Sequence, residues 1–305
     1  MSFQVRIIGS GSAMPSKGRH HSAQVIKADH IHYLVDCGEG TQFNLASLGI
    51  NLHKIDVIFI SHLHGDHYLG VVGLISTLGM MGRKKPLKLY CPFGLSEIIT
   101  THFRISGTVL EYPLDVREFE SNSKQIIHED EKLKVYSFPL PHGVPTQGYL
   151  FEEQSRPLSI IKEKLPTDIL VQEIGQLKAG KDVLDDNGTI KYAVQEFTRP
   201  REKSSSYAYC SDTEFSAEVI DFIRGVDVLY HETTYLEDHR EKAIRNKHCT
   251  AKEAATIARE AGVGKLLIGH LSSRYDDFEA HLIEAKKEFA QVEAAVEGAT
   301  FTIGN

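Results

Sequence analysis

A chain of 305 residues with 41% hydrophobic content and no long low-complexity tract has ample length for a large core, which excludes a disordered or fibrous protein. Its formal charge of -7 is the opposite of what a broadly basic nucleic-acid binder carries, so any phosphate contact has to be local. No 18-residue apolar run occurs and residues 1–10 read as a first strand rather than a signal peptide, so a soluble, cytoplasmic protein without membrane contact is expected.

The first strand is followed by a loop carrying Pro15, Lys17, Arg19 and His20. A strand ending at Val35 then runs into Asp36, Cys37 and Gly38, a pairing of Asp and Gly that also suits an ordinary turn. The β-branched and aromatic stretch 56–61 reads as a buried strand. Directly after it, His62-Leu63-His64-Gly65-Asp66-His67 puts four potential metal ligands into six residues. A turn between this strand and a helix starting in 68–75 can point alternate side chains to opposite sides. His62 and His64 can then serve one ion while Asp66 and His67 serve its neighbour.

Three further strand ends each deliver one candidate ligand: 133–138 leads to His142, 206–211 to Asp212, and 264–269 to His270. Taken singly, His142 could be a loop residue, Asp212 a helix N-cap and His270 a satisfied core histidine. Candidate ligands scattered from 62 to 270 argue for one domain spanning 1–305. Between the strand ending near Phe151 and the one at Ser206 lie about fifty polar residues without a ligand candidate, which read as an insertion. Within it, 158–165 and 169–177 have short helical apolar spacing, followed by Lys178 and Lys181. Basic runs at 83–88 and 199–203 are either phosphate contacts or solvated faces. Near the C-terminus, Thr250 and Glu253 form a capping box ahead of an apolar face of Ala254, Ala255, Ile257, Ala258 and Ala261, closed by Gly262. That places His248 just before a helix start, and 278–290 reads as a second amphipathic helix. The four cysteines, Cys37, Cys91, Cys210 and Cys249, have no paired spacing and fit reduced thiols.

Taken together, the ligand set resembles the metallo-β-lactamase superfamily. The resemblance implies an α/β, four-layer αββα sandwich with two zinc ions per chain. It assigns His62, His64 and His142 to one zinc, Asp66, His67 and His270 to the other, and Asp212 as a bridge, with Asp36 supporting the metal loop from behind. More narrowly, the chain is similar to the ribonuclease Z family, whose members trim the 3′ end of precursor tRNA. His231-Glu232-Thr233-Thr234 is similar to that family's His-Glu-Ala-Thr motif, and His248-Cys249-Thr250 to its His-Ser-Thr motif. The loop at 12–20 resembles its Pro, Lys and Arg-Asn loop, with His20 where Asn is usual.

That resemblance implies phosphodiester hydrolysis of precursor tRNA, with the zinc pair activating water and Asp66 accepting its proton. His248 would protonate the departing 3′ oxygen while Glu232 orients its imidazole, leaving a 3′-hydroxyl on the tRNA. It also implies a homodimer, a flexible tRNA-binding arm at 155–195, and substrate contacts from Lys17, Arg19, Lys178 and Lys181. Alternatives are another binuclear-zinc phosphodiesterase or arylsulfatase-like hydrolase on the same core, or a silent RNA-binding member.

Overall fold

The computed structural model describes residues 3–16, 18–154, 158–199 and 204–304. Two seven-stranded mixed sheets form the bulk of it. In the first, Thr300–Thr302, Phe3–Gly9, Ala23–Ala28 and Ile31–Val35 pair antiparallel in that order. Ile55–Phe59, Leu87–Cys91 and Leu114–Glu118 then continue the sheet in parallel. The second is built the same way: Gln125–Glu129, Leu133–Leu140, Thr146–Glu153 and Ser206–Cys210 are antiparallel. Val228–Glu232, Lys265–Gly269 and Val292–Ala294 extend it in parallel.

Strand alternation separates the layers. Tyr207 and Tyr209 point to the space between the sheets, where they join Phe3, Val5, Phe59, Tyr149 and Phe151 in one aromatic-rich core. Ala208 and Cys210, on the opposite face, meet Ala255, Ile257 and Ala258 of the helix Ala251–Ala261. On the far side of the first sheet, Leu34, Ile58 and Leu89 pack with Val71, Leu74 and Leu78 of the helix Gly70–Met80. The expected four-layer αββα order follows from these three clusters.

Several local expectations hold closely. The capping box forms, with Glu253 N–H donating to Thr250 Oγ1 and Thr250 N–H to Glu253 Oε2, and Gly262 closes the helix at φ 65°. The ligand run leaves the strand Ile55–Phe59 through a short loop, and Asp66 and His67 sit on a four-residue helical turn, Gly65–Tyr68. Other expectations need correction. Segment 158–165 is not a helix but a two-residue strand, Ser159–Ile160, and a single 3₁₀ turn, Lys162–Lys164. The helix expected at 278–290 covers only Glu279–Ala285. In the run at 83–88 Arg83 and Lys85 are already engaged, because the buried Arg83 guanidinium donates to the carbonyls of His53, Lys85 and Pro86, and Lys85 pairs with Asp56 at 2.6 Å. The run at 199–203 lies almost wholly outside the described residues.

The chain divides into two compact units, the smaller of which, Gln154–Ser204, is inserted within the larger. It holds the helix Val171–Lys178, which starts two residues later than the apolar spacing at 169–177 suggests. Two short strand pairs complete it, Ser159–Ile160 with Thr198–Arg199 and Val183–Leu184 with Ile190–Tyr192. Its bounds are wider than the 155–195 expected. Lys178 and Lys181 are both exposed on this unit.

Candidate metal centre and active site

Parallel strands bring their C-terminal ends to one edge, so residues just past those ends converge. Register pairs Cys210 with His231, and Glu232 with Gly269, which sets Asp212, Thr234 and His270 side by side. From the other sheet, Val35 and Phe59 are paired, which places Asp36 against Ser61 and His62. The loop after Val35 and the ligand loop lock together backbone to backbone: Cys37 N–H donates to the His67 carbonyl, and Gly70 N–H to that of Cys37. A Cβ on Gly70 would lie 2.1 Å from the Gly38 carbonyl oxygen, so only glycine permits this approach.

All seven candidate ligands meet in two groups that share Asp212. His62, His64, His142 and Asp212 form one; Asp66, His67, His270 and Asp212 form the other. Hydrogen bonds decide which nitrogen each imidazole offers. His142 Nδ1 donates to the Lys247 carbonyl at 2.8 Å, and His67 Nδ1 to Asp36 Oδ2 at 2.7 Å. His270 Nδ1 donates to Thr234 Oγ1 at 2.8 Å, and His62 Nδ1 to Ser61 Oγ at 3.0 Å. In each case Nε2 is left as a bare lone pair facing the cluster.

These lone pairs are close together. His62 Nε2 is 3.1 Å from His64 Nδ1, His142 Nε2 is 3.3 Å from the same atom, and His67 Nε2 is 3.3 Å from His270 Nε2. Asp212 sends Oδ2 toward the first group, 3.7 Å from His62 Nε2, and Oδ1 toward the second, 3.2 Å from His270 Nε2. That Oδ1 is buried and accepts no hydrogen bond. Acceptors crowded in this way repel one another unless a cation lies between them, so the two groups fit metal ions, with Asp212 placed to contribute to both.

Asp36 is buried at φ 56°, a left-handed conformation that Asp tolerates better than most residues. Its carboxylate accepts from His67 Nδ1, Ser61 N–H, Ser61 Oγ and Tyr209 OH, all between 2.6 and 2.9 Å. That set of donors anchors its carboxylate behind the ligand loop.

Beside the second group lies the Glu232–His248 pair. Glu232 Oε1 accepts from His248 Nδ1 at 2.8 Å and from Cys249 N–H, while Oε2 accepts from Thr234 N–H and its hydroxyl. Burial works against protonation of His248, but Glu232 prevails and pushes its pKa up to about 9. The His248 ring stacks on His270 with centroids 5.6 Å apart and lies 5.1 Å from His142, so it faces both groups. His231 turns away, donating to the Glu232 carbonyl.

Sequence reasoning missed Thr234, which links Glu232 to His270, and Ser61, which links Asp36 to His62. The available signal was that Ser61 directly precedes His62 and that Thr234 closes the 231–234 motif. Arg19 is brought to the site's border rather than into it: its guanidinium donates to the carbonyls of Tyr275 at 2.6 Å, Asp276 at 2.8 Å and Ser272 at 3.5 Å. His20 binds Glu297 at 2.7 Å, and Lys17 lies outside the described residues.

Over its whole length the chain is 45% identical to the ribonuclease Z of Cytophaga hutchinsonii, covering 97% of that protein. The chain belongs to the ribonuclease Z family. Two solved structures share the fold of this family member. Human tRNase Z, short form, superposes with a TM-score of 0.73 at 23% identity, over 99% of this chain and 100% of that one. The Bacillus subtilis metallo-beta-lactamase fold protein YhfI superposes at 0.70 with 19% identity, over 99% and 100%. The expected metallo-β-lactamase architecture of this ribonuclease Z family chain is thereby established. Residues 3–135 also match the family model described as Anti-Pycsar protein Apyc1. Among the described residues no helix is long and apolar enough to cross a membrane.

Proposed function

We propose that this chain is a cytoplasmic, two-zinc endoribonuclease that removes the 3′ trailer from precursor tRNA and leaves a 3′-hydroxyl on the tRNA. The observation that carries the reading is the Glu232–His248 pair set against a seven-ligand centre, since it adds a proton donor for a poor leaving group to a hydrolytic metal site. Imidazole and carboxylate donors suit zinc. When bound, a zinc pair would supply Lewis acidity toward the phosphate and lower the pKa of a water between the ions.

The chain's own residues supply the rest. Asp66, 3.3 Å from His270 Nε2 and 3.4 Å from His67 Nε2, is the carboxylate placed to accept the proton released by the attacking water. His248 Nδ1 is committed to Glu232, so Nε2 gives its proton to the departing 3′ oxygen. Glu232 steadies the imidazolium before that transfer. Asp36 and Thr234 keep His67 and His270 in the tautomer that presents Nε2.

The Gln154–Ser204 unit, with exposed Lys178 and Lys181, is the arm candidate for the tRNA body. A homodimer is supported by exposed Phe43 and Met81, which line one cleft beside Gln42 and Leu52. The deciding experiment incubates purified protein with a tRNA precursor carrying a 3′ trailer, maps the new end and measures zinc per chain. A new 3′-hydroxyl at the trailer junction with two zincs is the expected result. Cleavage of small phosphodiesters without tRNA cleavage would favour another hydrolase on the same core.

A further inference from the structure

Next to His248 opens a cleft of about 360 Å³, lined among others by Phe215, Ile244, Arg240, Lys252, Glu237 and Glu253. Phe215 and Ile244 are 41% and 57% exposed, so both offer apolar surface to the cleft. The cations of the cleft are already spoken for. Arg240 lies 3.4 Å from Glu253 and 3.8 Å from Glu237, and Lys252 lies 3.7 Å from Glu237. With its positive charge neutralised, the cleft offers little to a phosphate. What it does offer is an aromatic and an aliphatic surface edged by hydrogen-bonding groups, which suits a flat, uncharged heterocycle.

Position selects which heterocycle. In an in-line displacement the leaving oxygen departs away from the attacking water, toward the group that protonates it. Since His248 is that group, the space beyond it belongs to the nucleoside bearing the departing 3′ oxygen. Resting on the proposed tRNA reading, we infer that the cleft is a subsite for the base of the last nucleotide retained on the tRNA, stacked on Phe215. The subsite positions the ribose so that its 3′ oxygen meets His248 Nε2. Because stacking tolerates any base, it fixes geometry without demanding one sequence.

The test pairs two changes, Phe215→Ala in the protein and an abasic residue at the nucleotide immediately 5′ of the cleavage site. Each alone should lower kcat/KM about 5- to 150-fold, the usual range for one base on one aromatic ring. Together they should cost little more than either, because both remove the same contact. Phe215→Trp should restore cleavage of the intact substrate, and zinc content should be unchanged in both variants. Losses that multiply, or full activity of Phe215→Ala on the intact substrate, would overturn the subsite. A wild-type protein inactive on intact precursor would instead sink the tRNA reading itself, and the subsite with it.

Discussion

The hydroxyl of Thr234 receives the Nδ1 proton of His270 at 2.8 Å while giving its own to Glu232 at 2.6 Å. One short side chain thus joins a candidate metal ligand to the carboxylate that binds His248. His270 also occupies a left-handed backbone conformation, φ 59°, which is costly for this residue and persists only where neighbours hold it.

Thr234→Val keeps the shape and removes the hydroxyl. His270 then loses its tautomer control and Glu232 a donor, so affinity for the second zinc should fall about 10- to 100-fold. Thr234→Ser should restore most of it. Competition with a chelator, followed by metal analysis, reads this directly; equal retention by Val and Thr would return Thr234 to simple packing.

His248→Ala should lower cleavage of precursor tRNA by about 10² to 10⁴ with zinc content unchanged, as expected when a general acid is lost. A p-nitrophenyl phosphodiester, whose leaving group needs no proton, should lose much less. Equal losses on both substrates would remove His248 from the acid role.

Arg19 is spent on three backbone carbonyls between Ser272 and Asp276, just beyond His270. Arg19→Ala should therefore destabilise the fold by about 1.5–3 kcal/mol, the usual worth of charge-assisted hydrogen bonds. Small phosphodiesters should suffer along with tRNA, since the loop behind a ligand has loosened. Loss confined to tRNA, with an unchanged melting temperature, would point to direct contact with the RNA end instead.

His281 supplies a pH test away from the metals. It is fully buried on the helix Glu279–Ala285, edge-on to Tyr275 with ring centroids 4.6 Å apart. Burial pushes its pKa down to about 4 from 6.5. Because the unfolded chain binds this proton more readily, stability rises with pH across that window and is lost as pH falls from about 6.5 to about 4. The loss approaches about 3 kcal/mol. His281→Leu should flatten this limb. Denaturant titrations at pH 7 and pH 4.5 on both proteins isolate the difference, and identical slopes with pH would exclude the residue as its source.

Replacing the Gln154–Ser204 unit with a short Gly-Ser linker removes no candidate ligand. Zinc binding and cleavage of small phosphodiesters should survive, while tRNA binding weakens and its salt dependence flattens as phosphate contacts disappear. Full tRNA activity would reject the arm. Loss of activity on both substrates would assign the unit a structural role.

The candidate ligand set was legible in the sequence because most of it is encoded locally. His62, His64, Asp66 and His67 sit within six residues, and Asp212 and His270 lie just past the ends of strands whose parallel pairing gathers them at one edge, while His142 follows a strand of the antiparallel part of the same sheet. The capping box of Thr250 and Glu253 is local in the same sense. Which nitrogen each histidine offers was not legible. That depends on acceptors distant in sequence, such as Lys247 for His142 and Asp36 for His67, and only the folded chain brings them within 2.8 Å. Charge runs misled for a related reason. Lys and Arg at 83–88 look alike in a string, yet the fold buries Arg83 among carbonyls and spends Arg19 on a backbone loop. A guanidinium's role is set by whichever acceptors lie within hydrogen-bonding reach, and tertiary structure alone determines those distances.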